Sequence, residues 1–162
     1  MNNTVAAVQR LWASGARIIL VMNVPDLGVT PMAKSIGMRP QLSGLCAAYN
    51  QVLGQALYNL AEAGIPTIRL DAFKVLREMA NTPAAYGFSN VAVPFLLAPA
   101  GSNPDQFLFW DSVHPTTGAH EVLADEAVAQ LLAAFSPSKG NGKPDAKINS
   151  LNGLVDASLH KR

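Results

Sequence analysis

Ile18-Ile19-Leu20-Val21-Met22-Asn23-Val24-Pro25-Asp26-Leu27-Gly28 is a continuous apolar run, rich in β-branched residues, that breaks abruptly into turn chemistry. A strand with one wet face alternates apolar and polar residues, whereas an unbroken apolar strand suits cover on both faces, the pattern of a parallel sheet. Upstream, Val5, Val8, Leu11 and Trp12 recur at helical spacing behind a capping Asn3 or Thr4, and Gly15 supplies a left-handed stop. Downstream from Leu42, the positions Leu45, Cys46, Tyr49, Val52, Leu53, Ala56, Leu57 and Leu60 form an unbroken helical stripe closed by Gly64. Residues 65–70 read as a second buried strand, 73–80 as a short helix, and 119–135 as a final helix bearing Val122, Leu123, Val128, Leu131 and Leu132. Helix and strand alternate, so the fold class is α/β, with parallel strands joined by crossovers.

At 162 residues, 49% of them apolar and 14% charged, the chain can bury one ordinary core. That core is expected within residues 1–135. From Ser136 onward Pro, Gly, Ser, Asn and Lys dominate, and residues 136–162 read as a polar tail. Residues 82–106, punctuated by Pro83, Pro94, Pro99, Gly101 and Pro104, read as a long ordered loop of the kind that walls active sites. The strand count is awkward: two strands expose two edges and cannot bury helices on both faces. The strands at 18–22 and 65–70 are therefore expected to need outside cover, from a missing half of the domain or from a second copy.

Charge and hydropathy exclude several classes. Twelve Lys and Arg against 11 Asp and Glu leave a formal charge of +1 with no basic run, so nucleic acid is not an expected partner. Apolar stretches fall short of the roughly 20 residues that cross a bilayer. Asn2-Asn3-Thr4 after Met1 does not resemble a basic and then apolar leader, so no targeting segment is expected. The single cysteine, Cys46, cannot pair internally and reads as a small core residue, as do Tyr49 and the Met and aromatic positions.

The chemistry concentrates in Phe107-Leu108-Phe109-Trp110-Asp111-Ser112-Val113-His114-Pro115-Thr116-Thr117. An Asp that orients a His is two thirds of the relay that activates a hydrolytic nucleophile. In isolation, an Asp and a His three apart near a helix start are more commonly a cap and a surface imidazole. Pro115 favours the functional reading, because it pushes His114 away from helical geometry and fixes its ring relative to Asp111. His120, with Glu121 and Asp125 nearby, has poor ligand spacing to His114, and no metal or other cofactor is implied. Asp26 and Asp71 follow strands, where sites cluster, but turn and cap roles are the simpler reading for both.

The block from Phe107 to Thr116 resembles the last sequence block of the SGNH hydrolases, also called GDSL esterases and lipases, in which the triad Asp and His lie three residues apart. Val24-Pro25-Asp26-Leu27-Gly28, Tyr86-Gly87-Phe88 and Asn103-Pro104-Asp105 also resemble the secreted lipase and phospholipase branch. The similarity covers roughly residues 3–135. It implies that Asp111 orients and charges the imidazole of His114, which serves as general base and then general acid. It also implies a small-molecule or lipid ester as substrate. The family's nucleophilic Ser lies in an upstream Gly-Asp-Ser block, and its oxyanion donors come from that block and two further ones that this sequence does not contain. The resemblance therefore implies the C-terminal half of a three-layer α/β/α, flavodoxin-like fold. The six serines before the tail, Ser14, Ser35, Ser43, Ser89, Ser102 and Ser112, do not sit on a strand-to-helix turn like that nucleophile. Two functions follow as expectations: ester hydrolysis once the nucleophile is supplied, or an inactive remnant or binding module of the same fold. Members of the branch are commonly exported, which leaves the compartment of this chain open.

Overall fold

A computed structural model describes residues 2–135; the segment 136–162, read above as a tail, lies outside the described residues. The chain runs through α1 (Asn2–Ala13), β1 (Leu20–Met22), α2 (Pro31–Ser35), α3 (Arg39–Glu62), β2 (Ile68–Leu70), α4 (Ala72–Asn81) and α5 (Thr117–Phe135). Strands β1 and β2 pair in parallel, with Leu20 opposite Ile68, Val21 opposite Arg69 and Met22 opposite Leu70. Helix α3 makes the crossover between them.

Local chemistry explains the boundaries. Gly15 at φ +99° and Gly64 at φ +82° end α1 and α3, since only glycine enters that region without strain. The Asp71 carboxylate accepts the Lys74 N–H at 3.1 Å and caps α4. Thr30 caps α2 by accepting from the Ala33 N–H at 3.2 Å, with Pro31 as the first helical residue. The sequence reading had no helix at α2.

Both strands are shorter than the runs 18–22 and 65–70. The ladder opens with the Ile68 N–H on the Ile19 carbonyl and closes with the Asn23 N–H on the Leu70 carbonyl. The Ile65 N–H instead turns back to the Leu60 carbonyl at 2.8 Å to finish α3, which withdraws it from the sheet. Cover is uneven as well. Ile19 and Val21 pack with Val8 of α1 and with Leu53, Leu57 and Leu60 of α3, whereas Met22 is 52% exposed. On the other face Leu70 of β2 is buried where α5 packs against β2, while Met22 of β1 stays open, so among the described residues the sheet is covered on both faces only in part.

A second core joins Val75, Leu76 and Met79 of α4 to Phe88, Leu108, Phe109 and Ala119. Residues 82–106 reach it as a loop of three isolated 3₁₀ turns, 83–86, 95–97 and 104–106, tied down where the Ser89 and Asn90 N–H groups bond the Gln106 carbonyl. Cys46 is buried, as expected, but not every large apolar residue is: Met38, Tyr58 and Trp110 stand exposed. Helix α5 carries Val122, Leu123, Val128, Leu131 and Leu132 beside Glu121, Asp125 and Glu126, yet Ala119 is its one fully buried residue among those described. The flank of α3 shows the same excess, with Leu45 at 67% and Val52 at 51% exposure.

Such surface drives association. The purified chain is expected to sediment as species larger than its 17.1 kDa mass. A monodisperse monomer with a cooperative, high-temperature unfolding transition would contradict this.

Candidate active site

The residues from Phe107 to Thr116 form a closed turn anchored from behind. Phe107, Leu108 and Phe109 are buried, and the chain returns over them in two hydrogen bonds: Trp110 N–H to the His114 carbonyl at 2.8 Å, and Thr116 N–H to the Leu108 carbonyl at 3.0 Å. The buried Thr116 hydroxyl adds a 2.7 Å bond to the Phe107 carbonyl. At the tip, Asp111 Oδ1 accepts the N–H groups of Val113 and His114, both at 2.7 Å, an Asx-type turn built by the side chain itself. Pro115 then disfavours helical backbone at His114.

Asp111 Oδ2 lies 2.8 Å from His114 Nδ1. With Nδ1 donating to that carboxylate, Nε2 is left as the acceptor. The His114 side chain is 75% exposed, so Nε2 is open to a reacting group. Asp111 is held ionised: the backbone N–H of His114, then that of Val113, then the imidazole lower its pKa from 3.8 to about 2. The arrangement can abstract a proton through Nε2 and stabilise the resulting imidazolium. Among the described residues no serine hydroxyl meets Nε2. Ser43 donates to Asp26, and Ser35 and Ser102 donate to carbonyls of their own turns.

His120 stays apart from this pair, its Nδ1 2.9 Å from the Thr116 carbonyl one helical turn back. Asp71 accepts from the Asn23 side chain at 2.8 Å in addition to capping α4. Asp26 does more than end a turn. Only 1% exposed, it accepts the Ser43 hydroxyl at 2.6 Å and the Gly28 N–H at 2.9 Å, and lies 3.4 Å from the Arg77 guanidinium. It thus pins the β1–α2 connection to both α3 and α4. Gly28 is required there, because a Cβ would collide with the Ser43 hydroxyl and the Arg39 carbonyl. That connection reaches the dyad: the Met32 N–H of α2 bonds the Ser112 carbonyl at 2.9 Å, between Asp111 and His114. Apart from the Thr30-Pro31 cap that starts α2, no short-range signal announces this tie.

Beside the dyad runs an open groove of about 480 Å³. Pro31 and Lys34 of α2 form one wall, Val93, Pro94 and Leu97 the other, and Ser112 lies along it. The 82–106 loop thus walls a groove next to the dyad, which Ser112 lines and His114 does not.

Comparison with known proteins places these features. The family model described as GDSL-like Lipase/Acylhydrolase matches residues 1–127. A GDSL esterase/lipase of Arabidopsis thaliana is 26% identical over 159 residues, covering 84% of this chain and 44% of that protein. The phosphatidylcholine-sterol acyltransferase of Aeromonas hydrophila is 30% identical over 179 residues, 80% of this chain and 52% of its own. An anther-specific proline-rich protein of Arabidopsis thaliana is 28% identical over 156 residues, 83% of this chain and 29% of that one. The chain spans about half or less of the length of these relatives.

Two outcomes test the geometry. Because the native pKa of Asp111 lies below the ordinary value, its contribution to the turn is complete above the ordinary carboxylate range and lost as pH falls from there through about 2. A carboxyl ¹³C titration is expected to give a midpoint near 2, and His114→Ala to keep most of the depression, since the backbone N–H groups are its main cause. A midpoint near 3.8 would contradict the turn. Separately, Asp26→Ala strands the buried Gly28 N–H and the Ser43 hydroxyl and is expected to lower stability by about 1–3 kcal/mol in urea unfolding.

Proposed function

The chain belongs to the GDSL-like lipase/acylhydrolase family, and from that premise we propose that it supplies the general base and its orienting carboxylate to an ester hydrolase. The carrying observation is the 2.8 Å contact between Asp111 Oδ2 and His114 Nδ1, with Nε2 left free. In this reading Nε2 takes the proton of a serine hydroxyl as that oxygen attacks the ester carbonyl. The same nitrogen then protonates the departing alcohol, and a water molecule activated in turn releases the acyl group. Asp111 holds the tautomer and stabilises the imidazolium throughout. In this reading the nucleophile and the oxyanion donors come from outside the described residues.

Residues 1–135 are, on this proposal, the C-terminal half of a three-layer α/β/α domain. Its missing strands would pair with the open edge of β1 and its helices would cover Met22 and α5. A second copy of the chain is the alternative cover. The substrate class is a small-molecule or lipid ester; one relative is named for acyl transfer between phosphatidylcholine and a sterol, which suits a lipid acyl ester here too. Among the described residues no helix is long and apolar enough to cross a membrane.

A second reading, a non-catalytic binding module of the same fold, is favoured by one observation: no serine of the described chain approaches Nε2. The two separate by complementation. The chain alone is expected to hydrolyse p-nitrophenyl butyrate near background, and addition of a segment bearing a Gly-Asp-Ser block to restore turnover. In the restored protein His114→Ala is expected to lower kcat by on the order of 10⁶, and Asp111→Asn by roughly 10⁴, as in serine-protease triads. Robust turnover by the chain alone, abolished by His114→Ala and accompanied by stoichiometric phosphonate labelling of one of its serines, would overturn this reading. Complementation without any turnover would favour the binding module.

A further inference from the structure

We propose that Asp26 is a positioning residue for the Asp111–His114 dyad: it anchors the connection that carries α2, and α2 holds the Ser112–Val113 peptide that in turn holds the Asp111 carboxylate. The proposal rests on the reading of His114 as the general base of an ester hydrolase and adds to it a remote residue on which the alignment of that base depends.

Three links carry it. The first is the anchor. A carboxylate only 1% exposed is tolerated where its lone pairs are used, and Asp26 uses them on the Ser43 hydroxyl of α3, the Arg77 guanidinium of α4 and the Gly28 N–H of the connection itself. Gly28 lies so close to the Arg39 carbonyl and Ser43 that no side chain fits between, and Val29 packs against the α4–α5 core. The connection therefore has one place to lie, and α2 follows directly from it, capped by Thr30.

The second link is α2. Of its first-turn donors, Pro31 has no N–H, that of Ala33 goes to the Thr30 hydroxyl and that of Lys34 to the Thr30 carbonyl, which leaves the Met32 N–H to be satisfied outside the helix. The Ser112 carbonyl satisfies it at 2.9 Å. A five-residue helix is too short to keep its place by its own hydrogen bonds, so the donor stays on that carbonyl only while the anchor holds.

The third link is the peptide that Met32 grips. Ser112 and Val113 share one planar unit, in which the carbonyl and the N–H point in opposite directions. The carbonyl accepts the Met32 N–H, and the N–H donates to Asp111 Oδ1 at 2.7 Å. Holding one side of the plane therefore aims the other. A donor on the carbonyl also polarises the N–H and strengthens its bond to the carboxylate. Asp111 Oδ2 is thereby presented to His114 Nδ1, 2.8 Å away. The second donor to Oδ1, the His114 N–H, makes no bond to α2, so loss of the anchor weakens the alignment without abolishing it.

The test reads the dyad directly and needs no nucleophile. In the full chain, labelled with ¹³C at the Asp carboxyls and ¹⁵N at the His rings, NMR follows the Asp111 midpoint and the His114 tautomer. Asp26→Ala, and Met32→Pro, which removes the donor from a first turn that tolerates proline, are each expected to raise the Asp111 midpoint from about 2 part of the way to 3.8 and to mix the two neutral tautomers of His114. The double variant should go no further than the larger single change, because both cut one path. Met32→Ala keeps the N–H and should read as wild type. Val8→Ala, which weakens the separate α1–α3 core, should lower the urea midpoint while leaving Asp111 near 2. Should Asp26→Ala not fold, Ser43→Ala, which takes one partner from the carboxylate, is held to a smaller shift in the same direction. In the protein completed with a Gly-Asp-Ser segment, Asp26→Ala should lower kcat by roughly 10- to 100-fold. An unmoved Asp111 midpoint and tautomer in Asp26→Ala would overturn the proposal, as would an equal shift in Val8→Ala or additive shifts in the double variant. If the signals shift as expected but the completed protein hydrolyses esters without His114, the catalytic reading fails and the positioning role stands.

Discussion

The site depends on one carboxylate with three donors around it. Asp111 takes two backbone N–H groups on one oxygen and the imidazole on the other, so a single side chain both folds the turn and orients the base. Charge-assisted bonds of this kind are stronger than neutral ones, and here they converge on a group whose ionised form they favour. Shape and charge are therefore linked. A neutral residue at position 111 could not satisfy the two backbone donors and hold the imidazole equally well. The turn keeps its place because Phe107, Leu108 and Phe109 behind it are buried in the α4–α5 core, and because the Thr116 hydroxyl locks the return chain.

Rigidity at the tip is bought by packing on one side only. The α4–α5 core supports the turn from below, and Asp26 ties the β1–α2 connection to α3 and α4 and so brings the Met32 N–H to Ser112. The end of β1 stays open. Met22, the α3 flank at Leu45 and Val52, and most of α5 leave apolar area in water that a two-stranded sheet cannot cover. The chain thus combines a well-bonded Asp111–His114 turn with a body that leaves apolar surface open among the described residues.

Sequence reading recovered what short-range rules control. The long α3 stripe, the stops at Gly15 and Gly64, the punctuated loop and the Asp111–His114 pairing all depend on residues close along the chain, and each was legible. Strand length was not, because a ladder extends only as far as its partner, and the Ile65 N–H is diverted into ending α3. An apolar run records the environment a strand suits, and the described residues supply it at Leu70 of β2 but not at Met22 of β1. Asp26 and α2 were missed because their importance is tertiary. Nothing near Asp26 in sequence announces Ser43 or Arg77, and a five-residue helix has too few positions to show a period, although Thr30-Pro31 carries a capping signal.

The exposure of His114 defines what any completion of this site must do. A reacting hydroxyl has to come within about 2.6–3.2 Å of Nε2, and oxyanion donors must face the same carbonyl. Those hydrogen bonds gain most where water is excluded, and an imidazole 75% exposed has no such shelter. Whatever brings the hydroxyl must therefore also roof the dyad. The surfaces that lack cover, the open edge of β1, Met22 and the sides of α5, belong to the same small body that carries this turn. Burying apolar area gives an incoming segment its affinity without requiring specific bonds. The geometry of the turn, already set by Asp111, then needs no rearrangement to receive it. On the proposed function, association and catalytic competence would be one event, with the hydrophobic effect supplying the binding and the preformed dyad determining the chemistry.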